Sequence, residues 1–369
     1  MDHSGVIPDA AGHGSSSPAS RPGAVRPPRA DRSAPGAVLL RVPGGAIEAV
    51  VDPHGARLAA LRAPDRHGRL GDVVLGCADP RTDTAYRGAT VGRYANRISD
   101  GRFRLAGREH RLDRNEAGAS LHGGSAGLDH VDFRIGAVHD VPGGRTVVCA
   151  HTSPAGAGGY PGTLDITVAY TVTDTDVLVE FIVVTDAPTV VNLTNHTYFT
   201  LGGRGVEDCD VTLWCDHYLP VDTRLIPLPG APAPVVGTPF DLRVPVRMSD
   251  RLASGHPQLE VAGGFDHTFV LNDEGPVVDG LRAAARVVDR PSGRAMTVFT
   301  DRPGVQFYSG NMLDGTVRFP GGGPATRGAA FCLEPQDFPD APNRADYPST
   351  ELRPGNTYRS RILLRTGTG

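Results

Sequence analysis

The stretch 164–183 narrows the fold before any other feature does. Leu164, Ile166, Val168, Tyr170 and Val172 alternate along it, Asp174-Thr175-Asp176 supplies a turn, and Val177, Val179, Phe181 and Val183 alternate again. Side chains two apart share one face of a strand, so this segment reads as a hairpin with an apolar face. Residues 295–308 read as a second strand pair. There Met296 and Val298 lead into the turn Asp301-Arg302-Pro303-Gly304, after which Val305 and Phe307 share one face and Gln306 and Tyr308 the other. The stretch from Tyr358 to Arg365 reads as a further strand. The 47 glycines and 32 prolines recur along all 369 residues, which favours many short strands joined by turns. No long stretch repeats every 3.6 residues, no glycine-rich phosphate loop links a strand to a helix, and no fixed period recurs. The expected fold is all-β, a large antiparallel β-sandwich.

Composition sets the outer limits. Residues 1–36 are rich in Ser, Pro, Gly, Ala and Arg with almost no large apolar side chain, which predicts a flexible tail ahead of one domain over 37–369. All 37 basic residues are arginine and the net charge is −4, which argues against nucleic acid as a partner. Cys77, Cys149, Cys209, Cys215 and Cys332 are odd in number and lack metal-ligand spacing, so packing thiols in a reducing, cytoplasmic setting are expected. No run of eighteen apolar residues exists, which argues against a membrane partner, and the N-terminus lacks the apolar core of a secretory signal.

The segment 192–201, NLTNHTYFTL, carries the first chemical hint. In a strand, Asn192, Thr194, His196, Tyr198 and Thr200 would share one face, opposite Leu193, Phe199 and Leu201. A polar face around an imidazole suits a binding surface, because buried polar groups need partners; the plain alternative is a solvated edge strand. Five more segments combine polarity with turn residues: GRYANRI at 92–98 with Arg93, Asn96 and Arg97, LHGG at 121–124 with His122, FDHTFVL at 265–271 with Asp266 and His267, PGVQFYSGN at 303–311 with Gln306, and FCLEPQDFPDAPN at 331–343 with Glu334. In the last, Glu334 and Gln336 share a face opposite Phe331 and Leu333. A histidine beside glycines can be a structural hydrogen-bonder and an aspartate at a strand entrance a turn residue, whereas a carboxylate near a core must be paired or shifted in pKa.

In order and spacing, GRYANRI, LHGG, NLTNHTYF, FDH, PGVQFYSGN and LEPQDFPDAPN, followed by YPSTELRPGNTY, resemble the aldose 1-epimerase, or galactose mutarotase, family over residues 37–366. The resemblance implies a galactose mutarotase-like supersandwich whose concave face binds a free aldose, with no cofactor and no metal, acting as monomer or homodimer. It implies Glu334 as catalytic base, His196 as catalytic acid and His122 as their assistant beside the ring. It further implies that Asn96, Arg97, Asp266 and Gln306 hold sugar hydroxyls. The chain departs from the family pattern at Thr197, Thr200 and Ser309 and lacks a lysine before Phe331; these positions bear on sugar preference. The implied reaction opens the hemiacetal ring by removing the C1 hydroxyl proton and protonating the ring oxygen, then recloses it on the other face. Rival readings on the same residues are a hexose-6-phosphate epimerase using Arg93 and Arg97, a non-catalytic sugar-binding module, and a glycoside hydrolase using Asp266 and Glu334.

Overall fold

A computed structural model describes residue 1 and residues 36–369, apart from 78, 204, 320 and 321. The tail expected at 1–36 therefore lies, but for Met1 and Gly36, outside the described residues. The leading hairpin forms as read: strands Leu164–Val172 and Asp176–Thr185 pair from Leu164↔Thr185 to Val172↔Val177. Its turn is tighter than expected, because Asp176 already begins the return strand. The nine alternating apolar residues are at most 1% exposed.

This hairpin belongs to an antiparallel sheet of eleven strands. Asp176–Thr185 is followed across that sheet by Tyr358–Thr368, Arg294–Thr300 and Leu281–Asp289. A second sheet runs Tyr198–Phe199, Phe331–Gln336, Gly304–Tyr308, Asp266–Leu271, Cys215–Tyr218 and Ala233–Pro234. Among the described residues, helix is confined to Met248–Leu252, Pro257–Ala262 and a few 3₁₀ turns. One continuous core holds Ile166, Val168, Phe181, Met296 and Val298 of the large sheet together with Phe269, Val305, Phe307, Phe331 and Leu333 of the smaller one. The architecture is thus the expected antiparallel β-sandwich, with each fully buried large apolar side chain contributing about 1.5–3 kcal/mol.

The second strand pair does not form. Arg294–Thr300 and Gly304–Tyr308 are both strands, but they lie in different sheets. The first is flanked by Leu281–Asp289 and Tyr358–Thr368, the second by Asp266–Leu271 and Phe331–Gln336. Each already has a partner on both edges, which satisfies its backbone donors and acceptors. Residues 301–303 are therefore a corner between layers, held where the Asp301 carboxylate accepts from the Arg361 backbone N–H at 3.0 Å.

Candidate active site

The smaller sheet turns one face to the core and the other to a hollow. Cross-strand register aligns Thr268, Gln306 and Glu334 in one row and Asp266, Tyr308 and Cys332 in the next. Residues two apart on a strand share a face, so Glu334 and Gln306 face the hollow while Leu333 and Phe307 pack into the core. The hollow is a cavity of about 400 Å³ lined in part by His196, His122, Asn96, Arg97, Asp266 and Glu334. A larger hollow of about 610 Å³ beside Ser309 and Asn311 is lined by no histidine among the described residues, and its Glu207, Glu260 and Arg327 are exposed. The histidines and buried carboxyls gather at the smaller one.

The segment 192–201 is neither a solvated edge nor one continuous strand. Thr194–Asn195 pairs with Thr90–Val91, whereas Tyr198–Phe199 pairs with Phe331 and Cys332. His196 sits where the chain changes partner: its N–H donates to the Ala89 carbonyl and its own carbonyl accepts from the Gly88 N–H, both at 2.8 Å. Its ring is buried, with Nε2 3.7 Å from Glu334 Oε1 and Nδ1 3.5 Å from Cys332 Sγ. The rings of Tyr198, His122 and Tyr86 lie 5.1, 5.2 and 5.7 Å away.

Asn96 and His122 hold each other in left-handed backbone, at φ 64° and 54°. The His122 N–H donates to the Asn96 carbonyl, and the Asn96 N–H donates to His122 Nδ1, both at 3.1 Å. The glycine after His122 follows from this close approach, since a Cβ on Gly123 would collide with the Gly92 carbonyl. Arg97 donates through Nε and Nη2 to the two oxygens of Glu116, at 2.6 and 3.0 Å, and Nη2 stands 3.8 Å from Asp266 Oδ2. Asp266 Oδ1 accepts from Gln306 Nε2 at 2.6 Å.

The structure therefore brings Glu334, His196, His122, Asn96, Arg97, Asp266 and Gln306 together at one cavity. Arg93 it turns away: buried, it donates to the carbonyls of Ser153, Pro154, Pro161 and Gly162 and to Ser153 Oγ. His267 also lies off the cavity, its ring 4.8 Å from that of Phe240. Glu116 and Tyr86 line the cavity without having been anticipated. Both sit outside any strand, where no periodicity marks them. Tyr198 and Tyr308 line it too, in keeping with their placement on the faces of His196 and Gln306, although neither was singled out as a site residue.

Burial dominates the electrostatics. It raises the Glu334 carboxyl well above the usual carboxylate range, the Asp266 charge adds to this, and Arg97 opposes it. Burial also lowers His196 to about 4 and takes His122 well below the ordinary histidine range. Burial thus disfavours charge on both members of the Glu334–His196 pair. Among the described residues Glu334 Oε2 has no hydrogen-bond partner, an unsatisfied oxygen on a carboxyl that lines the cavity.

One ligand atom from each of His122, His196 and Glu334 lies within 4.8 Å of the others. Yet His122 Nδ1 is an acceptor, so the neutral ring carries its proton on Nε2. That nitrogen is a donor, suited to an oxygen of a polar ligand and not to a metal ion.

The family model described as Aldose 1-epimerase matches residues 38–365. A galactose mutarotase of Rattus norvegicus is 43% identical over 310 residues, covering 82% of this chain and 86% of that protein. An aldose 1-epimerase of Escherichia coli (strain K12) is 36% identical over 331 residues, covering 88% and 92%. Among solved structures, an aldose epimerase homologue from C. elegans superposes with a TM-score of 0.80 at 27% identity, covering 90% of this chain and 99% of that one. A galactose 1-epimerase from Lactobacillus acidophilus NCFM gives 0.79 at 26% identity, covering 89% and 94%. With the matched region spanning both sheets and every cavity residue, the chain belongs to the aldose 1-epimerase family.

Proposed function

We propose that this protein interconverts the α and β anomers of a free, uncharged aldohexose, with Glu334 and His196 as the proton-handling pair. The observation that carries the reading is their juxtaposition, a carboxyl and an imidazole 3.7 Å apart at a buried cavity. The two oxygens of a hemiacetal are bonded to the same carbon, so a base serving one and an acid serving the other must be close neighbours. The pair meets that requirement.

The residues divide the work as follows. Glu334 takes the proton from the C1 hydroxyl while His196 Nε2 delivers one to the ring oxygen, and the roles reverse as the ring recloses. The resting form, neutral on both groups, and the working form, carboxylate and imidazolium, hold the same number of protons. Sugar hydroxyls at Glu334 Oε2, with Arg97 nearby, favour the working form by solvating the carboxylate. His122 contributes a fixed Nε2–H donor. Asn96, Arg97, Asp266 and Gln306 offer the mixture of donors and acceptors that hydroxyls require. The pair's proton count gives a bell-shaped rate profile. The acid limb, set by protonation of His196, lies near pH 4, and the alkaline limb is set by loss of the Glu334 proton.

A phosphorylated substrate is disfavoured. Arg93 is committed to four backbone carbonyls, and Arg97 is paired with Glu116 and faces Asp266. Four buried thiols support a reducing, cytoplasmic setting. The test is polarimetry on freshly dissolved α-glucose, α-galactose and a hexose 6-phosphate, with the spontaneous rate subtracted. Acceleration of the neutral sugars, and no faster turnover of the phosphate ester, is the expected result. A protein that leaves every rate at the spontaneous value refutes the reading.

A further inference from the structure

We propose that Thr268 is a positioning residue whose hydroxyl sets the orientation of the Gln306 amide, and thereby which Asp266 oxygen is open to substrate. The inference rests on the reading of this cavity as the sugar site.

Thr268 is buried and lies directly across from Gln306 in the sheet, but it does not line the cavity. Its Oγ donates to Gln306 Oε1 at 2.5 Å, and Gln306 Nε2 donates to Asp266 Oδ1 at 2.6 Å. Behind it, Gln336 Nε2 donates to Thr268 Oγ at 3.5 Å. Every donor in this row points the same way, from Gln336 through Thr268 and Gln306 to Asp266.

The direction follows from the geometry of the ends. Asp266 Oδ1 accepts from the Gln306 amide, whose nitrogen therefore turns toward it. Its oxygen then faces Thr268, whose hydroxyl must donate and is left with a lone pair for the Gln336 amide. With Oδ1 engaged, Asp266 presents Oδ2 toward Arg97, 3.8 Å away. A sugar hydroxyl arriving there finds an acceptor and a cation side by side. Without the Thr268 hydroxyl, the buried Gln306 oxygen has no donor, and the amide is drawn off Asp266 to find one.

The variants Thr268→Val and Thr268→Ser separate hydroxyl from shape, the first keeping the branched side chain and the second the O–H. Steady-state polarimetry on α-galactose and α-glucose, after circular dichroism has confirmed folding, is expected to show KM raised about 3- to 10-fold in Thr268→Val, with kcat within about twofold. Thr268→Ser is expected to restore KM to within about twofold of the unaltered protein. Thr268→Ala, which removes bulk as well, replaces Thr268→Val should the latter not fold. An active unaltered protein whose KM is unmoved by Thr268→Val, a Thr268→Ser variant as impaired as Thr268→Val, or a loss confined to kcat would each overturn the role of Thr268. An unaltered protein with no activity would instead overturn the sugar-site reading beneath it.

Discussion

Replacing Asp266 by Asn should move the alkaline limb of the rate profile to lower pH by about one unit. Glu334 holds its proton because burial and the Asp266 charge both penalise the carboxylate, against the opposing pull of Arg97. Asparagine keeps the size of the side chain and still offers Gln306 an oxygen, yet it removes one of those charges. Asp266 and Glu334 stand on the two strands that flank Gly304–Tyr308, about 10 Å apart at the strand spacing of a sheet. Unit charges at about that distance interact by about 1.7 kcal/mol at an effective dielectric of about 20. One pKa unit corresponds to about 1.4 kcal/mol, which gives the shift of about one unit. The sign is fixed: a neighbouring negative charge disfavours a second one, so its loss lets Glu334 release its proton earlier as pH rises. Activity needs that proton on the pair, so the fall in kcat/KM begins at lower pH. The assay is kcat/KM by polarimetry across the pH range, each point corrected for the spontaneous reaction. Asp266→Asn also weakens sugar binding, which lowers the curve as a whole without moving its limb. A limb that stays in place, or moves upward, refutes the assignment of that limb to Glu334.

Further outcomes follow from the same geometry. On the proposed role of His122 as one fixed neutral donor, His122→Ala should lower kcat/KM about tenfold, well short of the effect of losing a proton-transfer group, and it should leave both limbs of the pH profile in place. Arg93→Met should lower unfolding stability in urea by more than about 3 kcal/mol, since several charge-assisted bonds to buried carbonyls are lost. The folded fraction should keep kcat/KM within about twofold. A large catalytic loss at unchanged stability would mean that Arg93 reaches the sugar after all.

Much of this was legible in the chain itself, and the particular residues show why. Alternation at 164–183 is a local signal, and it gave the hairpin and its buried face correctly. The same rule placed Glu334 with Gln336 and Gln306 with Tyr308, because face assignment needs only a period of two. Partner choice is not local. Met296 and Phe307 obey the pattern of a hairpin, yet their strands are saturated by different neighbours in different sheets. His196 stood out by its polar surroundings, but its burial comes from residues 88–89 and Cys332, far away in the chain. Arg93 and Arg97 are four residues apart and equally polar in the text. Only the fold sends one to the carbonyls near 153 and 162 and the other into the cavity. Glu116 and Tyr86 reach the site from irregular segments that carry no pattern at all.

The central claim is that Glu334 and His196 together move the protons of ring opening. The most direct measurement is polarimetry on freshly dissolved α-galactose with the unaltered protein and with folded Glu334→Gln and His196→Asn. The account expects clear acceleration by the unaltered protein and a loss of about 10²–10⁴-fold in kcat for each variant. Near-unaltered turnover in either folded variant would contradict it.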